Sequence, residues 1–494
     1  MESSPLLQQT STFYKENDRI LEGGQHHPSS LASETWAEMK MLWQVAGPAV
    51  LTSIFQYSLF SVTQTLVGHI GTVELAAVGI QNMVLSGLVF GIMMGMGSAL
   101  ETLCGQAFGA GKLNMLGIYM QRSWIILNCT AILLTLIYIF ATPILKLLGQ
   151  DDEIASLAGK FSIWMIPEIF ALAINFPMQK FLQAQSKVMA MTWISFAALV
   201  LHLFLSWLCI IKLDMGLVGA AITLNLGWWV LVFGQLVYIL AGYCEKSWTG
   251  FSWLAFTDLA GFVWLSLASA VMLCLEYWTL MIIILLGGLL RNPEIAVDAA
   301  SICMNVEGWC MMIPFGFTAA ISVRVSNELG AGRPRAAKFS VLVVVMMSIV
   351  IQTIFVILIL TTRKDFPVVF TEDILVMKKV SQVAVFLSAS IFFSSVQPVL
   401  SGVAIGAGWQ TLFACINLGS YYLVGLGMAL LLGFKYNFGL EGIWGGMLSG
   451  VAVQTIILII VTWRTNWEKE AQVAKERILF WGGSGSGSAD AILS

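Results

Sequence analysis

The sequence predicts an all-α membrane protein with twelve transmembrane helices in two pseudo-symmetric six-helix lobes. Three observations carry this. The 494 residues are 58% hydrophobic and 11% charged, with a mean hydropathy of +0.84, whereas soluble domains carry about 25% charged residues. Charge-free stretches recur at the length of roughly 20 residues that a helix needs to cross a hydrocarbon core. Turn motifs of the first half reappear in the second at a nearly constant spacing.

In chain order, residues 1–40 are polar and read as a disordered cytosolic tail, without the layout of a cleavable signal peptide. Runs lacking Asp, Glu, Lys and Arg follow at 41–73, 75–100, 123–145, 188–211, 215–244, 339–362 and 442–463. The run 380–434 is long enough for two spans, divided near Gly406-Ala407-Gly408. Three more spans, 161–179, 259–290 and 299–323, each carry one carboxylate. Backbone groups in lipid need internal partners, and runs this long with so little alternation are helices rather than barrel strands. The N-terminal lobe is expected at 41–244, a cytosolic loop at 245–258, the C-terminal lobe at 259–463 and a cytosolic tail at 464–481. Residues 482–494 read as a Gly/Ser linker and cleavage scar.

Charge sets the orientation and excludes function classes. Sixteen of the 25 Lys and Arg fall on the side of the two tails, which places both termini in the cytosol; the tails themselves supply the excess. A net charge of −3 offers no basic field for a nucleic-acid partner. The eight cysteines are scattered along the spans without a metal-ligand spacing, so apolar packing accounts for them. No GxxxxGK[ST] is present: Gly105 to Gly111 is one residue too long and Leu113 replaces Ser/Thr. There is no catalytic Ser/His/Asp or Cys/His set outside lipid, so an enzyme is not expected. With no ATP site and no expected cofactor, energy has to come from an ion gradient.

The repeat points to transport. Cys104-Gly105-Gln106-Ala107-Phe108-Gly109-Ala110-Gly111-Lys112 ends span two, and Val325-Ser326-Asn327-Glu328-Leu329-Gly330-Ala331-Gly332-Arg333 ends span eight, at an offset of 221. The same offset carries Pro177 of span four onto Pro398 of span ten. Gly216-Leu217-Val218-Gly219 matches Gly439-Leu440-Glu441-Gly442 at an offset of 223. Two six-helix units related this way run parallel about an axis along the membrane normal, with binding between them and rocking for alternating access. Pro177 and Pro398 are the hinge candidates, since each removes a helical hydrogen bond. Gly87, Gly91 and Gly95 let a neighbouring helix approach span two.

Chemistry is expected from ionisable groups inside the membrane. Glu276 lies mid-span in seven and Glu307 about one third into span eight, so adjacent helices can bring them together. Two carboxylates in one poorly solvated pocket cannot both ionise easily, and at least one is expected to exchange protons. His202 is the only mid-span histidine and could join a proton path or line the N-terminal cavity. Glu168 follows Pro167 near the outer rim of span four. Glu101 and Glu328 read as structural, and Arg324, Arg333, Arg335 and Lys338 as orientation charges and surface pairs. Gln56, Tyr57, Gln81, Asn82, Asn175, His202, Tyr277, Trp278, Asn305, Trp309 and Gln397 are candidates to line a site for a planar organic substrate through stacking and a few hydrogen bonds.

These motifs resemble the plant multidrug and toxic compound extrusion (MATE) transporters, the DETOXIFICATION family, over roughly residues 36–465. The similarity rests on Leu103-Cys104-Gly105-Gln106-Ala107-Phe108-Gly109-Ala110, Phe181-Leu182-Gln183-Ala184-Gln185, Ala270-Val271-Met272-Leu273-Cys274-Leu275-Glu276, Arg324-Val325-Ser326-Asn327-Glu328-Leu329-Gly330-Ala331-Gly332 and Gln397-Pro398-Val399-Leu400-Ser401-Gly402-Val403-Ala404. Within the family it looks like the branch of the transparent-testa flavonoid transporter. The resemblance implies the MATE fold, two six-helix lobes in a V, and exchange of protons for flavonoids, other secondary metabolites or organic cations, at the vacuolar rather than the plasma membrane. It implies that Glu276 couples protons, with Glu307 its neighbour. Bacterial relatives use an aspartate in span one; here Ser61-Val62-Thr63-Gln64-Thr65 carries no acid, so coupling is expected in the C-terminal lobe and no proton or sodium site in the N-terminal one. The expected partners are a small organic substrate, protons and the bilayer, with the chain acting as a monomer. A sodium-coupled exporter, an ion channel and a lipid flippase remain open at this point.

Overall fold

The computed structural model describes residues 28–287, 289–290, 293–371 and 373–481. Residues 1–27 and 482–494, expected to be tail and linker, lie outside the described residues, as does the side chain of Tyr277. Eleven long apolar helices are Leu31–Val67, Thr72–Gly109, Leu113–Ile139, Val188–Lys212, Gly216–Tyr243, Leu259–Glu276, Asp298–Gly330, Pro334–Thr362, Ile374–Ala407, Gln410–Lys435 and Gly439–Arg464. The twelfth span, fourth in the chain, is the bent pair Asp152–Trp164 and Ile166–Ala184, which meet at 51°. Numbered in chain order, these are spans one to twelve. A final helix, Trp467–Trp481, follows them.

Several boundaries differ from those expected. The first helix starts at Pro28, so residues 28–40 are not a disordered tail. Glu38 explains why: it is buried, and Arg324 Nε and Nη2 donate to its two oxygens at 2.8 and 3.0 Å while Ser340 Oγ donates at 2.6 Å. Arg324 is correspondingly a buried pairing residue and not a surface orientation charge. Span seven continues to Gly287. Spans ten and eleven part at Gly408, whose φ of 86° lies in the left-handed region that glycine tolerates. Span ten has a second break at residues 394–396, just before Gln397 and Pro398. In span four the helix passes unbroken through Pro177, and the bend lies at Met165, beside Pro167. The two halves therefore break their fourth and tenth spans at different levels.

The repeat is nonetheless written into the backbone. Gly111 and Gly332 have φ values of 73° and 71°, and the turns before spans six and twelve share left-handed Asp214 and Asn437 (48° and 57°) and Gly216 and Gly439 (56° and 61°). Spans two and eight cross so closely that a Cβ on Gly109 would overlap the Asn327 carbonyl, while one on Gly330 would overlap the Gln106 carbonyl. Gln106 and Asn327 are themselves related by the offset of 221, so the two contacts exchange under a two-fold axis running between them. One apolar core fills the N-terminal lobe and this crossing, and a smaller one, with Val380, Leu387 and Trp444, fills the C-terminal lobe.

The end carrying the tails is closed. Thr102 Oγ1 donates to Ile405 O, Gln106 Nε2 to Gly406 O at 3.2 Å, and Gln410 Nε2 to Thr102 Oγ1 at 2.8 Å. Arg477 of the final helix is buried between the lobes, donating to Gln106 Oε1 at 3.0 Å and to Ala407 O at 3.3 Å. Burial pulls its guanidinium below the usual arginine range, opposed by the Glu470 carboxylate. The neighbouring Trp481 packs on Phe262 of span seven and under Arg122 of span three. The loop between the lobes is pinned as well: Arg122 donates to Leu254 O, and Gln121 Nε2 to Gly250 O at 3.0 Å. From this end the hydrogen bonds and ring contacts between the lobes extend as far as Tyr57 and Trp309, whose rings meet edge-on at 5.4 Å.

Candidate functional site

Span two brings span seven to the lobe junction. Gly91 faces Cys274, and at Gly95 a Cβ would lie 3.1 Å from both Ala270 N and Ser269 O. The absence of side chains at 91 and 95 thus lets the helices pack backbone to backbone, and places Glu276 beside the junction. The acid is half-buried. Ser401 Oγ donates to Glu276 Oε1 at 2.7 Å and Asn417 Nδ2 donates to the same oxygen at 3.2 Å. Asn417 Nδ2 also donates to Met272 O at 3.0 Å, Gln454 Nε2 donates to Asn417 Oδ1 at 2.7 Å, and Tyr421 Oη to Gln454 Oε1 at 2.6 Å. Gln397 Nε2 donates to Ser401 Oγ at 3.3 Å. One carboxylate is therefore held by a network drawing on spans ten, eleven and twelve.

Glu307 is buried and accepts from Ser390 Oγ through Oε1, while its Oε2 has no partner. Among the described residues the two acids share no hydrogen bond; each is tied to a different segment of span ten, Ser390 before the break and Ser401 after it. Among the described residues neither is paired with Lys or Arg. Three other buried carboxylates are paired: Lys180 Nζ lies 2.6 Å from Glu101, Arg324 and Arg333 hold Glu328, and Arg324 holds Glu38.

The remaining candidates separate into groups. Tyr57 and Trp309 meet across the lobes, and buried Gln56 Nε2 lacks a partner. Trp278 and Asn305 are exposed, the latter donating to Ser301 O within its own helix. Asn175 is fully buried and accepts from Gln235 Nε2 at 2.8 Å. His202 is likewise enclosed inside the N-terminal lobe, with Nδ1 3.0 Å from Thr223 O and Nε2 3.0 Å from Thr63 Oγ1 and 3.1 Å from Leu59 O. Gln81 is fully buried and Asn82 half-buried on a π-helical turn, Gln81–Ser86. Sequence reasoning missed Ser401, Asn417, Gln454, Tyr421 and Ser390. The available signal was a polar side chain in each otherwise apolar span.

The MatE family model matches residues 48–208 and 268–431. The chain is 56% identical over 458 residues to Protein DETOXIFICATION 33 of Arabidopsis thaliana, covering 92% of this chain and 95% of that protein. It is 57% identical over 446 residues to Protein DETOXIFICATION 30 of the same plant, covering 90% of each. Its fold matches the crystal structure of the eukaryotic MATE transporter AtDTX14, with a TM-score of 0.86 and 34% identity over 90% of this chain and 99% of that one. It also matches the Vibrio cholerae MATE transporter VcmN in the bent form, with a TM-score of 0.75 at 19% identity over 90% of this chain and 99% of that one. Twelve apolar spans agree with these likenesses: the chain belongs to the MATE family of multi-pass membrane transporters for multidrug and toxic compound efflux, and is not an enzyme.

Proposed function

We propose that the protein is a proton-coupled antiporter that exports organic compounds from the cytosol by alternating access. The observation that carries this reading is Glu276, an acid at the lobe junction with neutral hydrogen-bond partners and, among the described residues, no cation. Such a group can bind and release a proton without breaking an ion pair. Facing the acidic side, Glu276 takes up a proton and substrate is released; facing the cytosol, it loses the proton and substrate rebinds. Glu307, tied to the other segment of span ten, supports the same switch, because moving one segment against the other changes the partners of both acids. Pro398 at the break supports a hinge there. Tyr57 and Trp309 support stacking of a planar substrate at the junction, and flavonoids or cationic metabolites fit that chemistry. Cytosolic termini follow from the Lys and Arg distribution, and a vacuolar address from the family resemblance.

Reconstituted vesicles test the reading. With a pH difference and a sodium difference imposed separately, substrate accumulation is expected with the first alone. Accumulation driven by sodium alone would overturn proton coupling, and ohmic current without counter-transport would overturn antiport.

A further inference from the structure

The N-terminal lobe contains a buried acid that the scheme above does not use. Glu168 is fully buried, and both of its carboxyl oxygens lack a hydrogen-bond partner. Around it stand Trp228 of span six and Tyr138 of span three, and Tyr138 in turn faces Gln81 and Ser86 of span two. Trp228 Nε1 and both polar atoms of Gln81 are also buried without partners. Trp228 thus faces the acid directly, while Gln81 and Ser86 face its neighbour Tyr138. Glu168 differs from Glu101, Glu38 and Glu328, each of which is ion-paired with Lys or Arg. An ionised carboxylate left alone in a protein core is costly, so an acid so placed holds a proton unless its surroundings rearrange.

The repeat gives this site a counterpart. Ser86 and Glu307 are related by an offset of 221, and Glu168 and Ser390 by 222. In the C-terminal lobe the acid is on span eight and the hydroxyl on span ten; in the N-terminal lobe the hydroxyl is on span two and the acid on span four. The two lobes thus place an acid and a hydroxyl at equivalent positions with the roles exchanged, hydrogen-bonded to each other in the C-terminal lobe only.

We infer that Glu168, with Tyr138, Gln81 and Trp228, is a proton-binding site of the N-terminal lobe, exchanging its proton with the side of the membrane opposite the tails. Its ligand is a proton, taken by one carboxyl oxygen, while Trp228 Nε1 is available to the ionised form. This deepens the proposed antiport and rests on it for the direction of exchange. Tyr138 is the titratable group facing the acid; spans two and six present uncharged Ser86, Gln81 and Trp228. His202 of span five is turned to spans one and six. Asp152, Glu153 and Lys160 of the segment before the bend are exposed, and Lys180 with Glu101 lies near the tail end of spans four and two, as do Arg122 of span three and the charged end of span eight.

The test is infrared difference spectroscopy of the full chain in lipid on changing the outer pH, following the carbonyl band of protonated carboxyl groups. In the double variant Glu276→Gln/Glu307→Gln, one titrating band is expected to remain, and adding Glu168→Gln is expected to abolish it. Tyr138→Phe, which removes a single oxygen, is expected to move the midpoint of that band by about one pH unit and keeps the test available if Glu168→Gln does not fold. Absence of a titrating band in the double variant, or a band indifferent to both Glu168→Gln and Tyr138→Phe, overturns the site. Failure of proton-driven flux in the wild-type protein with the band intact would remove the antiport reading and leave the site standing.

Discussion

Closure of the tail end depends on two glycines that occupy equivalent places in the repeat, and a single methyl group on either should prop it open. At Gly330 a Cβ would lie 2.7 Å from both Cα and C of Gln106, and at Gly109 it would lie 2.8 Å from C of Asn327. Carbon atoms pack at about 3.5–4.0 Å, so Gly330→Ala requires the two spans to separate by roughly 1 Å. Both neighbours are backbone atoms within helices and cannot swing aside. Overpacking of this kind costs about 1–3 kcal/mol, which corresponds to roughly a 5- to 150-fold loss of the closed population. Each lobe keeps its own core, so the protein should still fold. Spin labels on the exposed positions Asn114 and Lys338 are expected to report longer inter-lobe distances, with transport reduced in step. Gly109→Ala is expected to match Gly330→Ala, and the double variant to cost little more than either, because one displacement relieves both overlaps. Unchanged distances and unchanged flux in Gly330→Ala would refute the reasoning, as would effects of opposite sign at the two glycines.

The hydrogen bonds at the closed end and behind Glu276 can be perturbed separately. Arg477→Ala removes a charged donor from buried Gln106 Oε1 and Ala407 O; such bonds are worth about 1.5–3 kcal/mol each, so thermal stability in detergent should fall, and Arg477→Lys should restore only part of it because an ammonium lacks the planar fork. Unaltered stability would show that the final helix does not tie the lobes. Asn417→Leu breaks the bonds to Glu276 and Met272 and strands Gln454 Nε2; proton-driven flux is expected to drop about tenfold while substrate binding holds. Flux at the wild-type rate would show that the relay behind Glu276 is only structural.

Much of the architecture was legible because lipid enforces simple rules. Charge-free runs gave the spans, since a charge inside the membrane is costly enough to be excluded nearly everywhere. The glycine turns gave the repeat, since positive φ restricts which residues can stand at positions such as 111 and 332. Helix breaks were less legible. Proline marks where a hydrogen bond is missing and not where a helix bends: Pro177 lies within an unbroken helix, and the bend falls at Met165. The start of the first helix was hidden because a long-range pair, Glu38 with Arg324, stabilises it. The acids stood out in the sequence, but their partners did not. Ser401 and Asn417 are ordinary polar residues until spans seven, ten and eleven are packed together. The burial of Glu168 was not legible, because proximity to a span end says nothing of whether a side chain turns inward.

The most direct measurement is proton-linked substrate uptake by vesicles containing Glu276→Gln, beside substrate binding to the same preparation. Glutamine keeps the shape and can still accept from Ser401 and Asn417, yet it cannot take up a proton. A difference of two pH units across the membrane stores about 2.7 kcal/mol per proton, enough for roughly 100-fold accumulation of a neutral substrate. The account predicts that the variant binds substrate but shows no accumulation under that gradient. Accumulation at the wild-type level would contradict it.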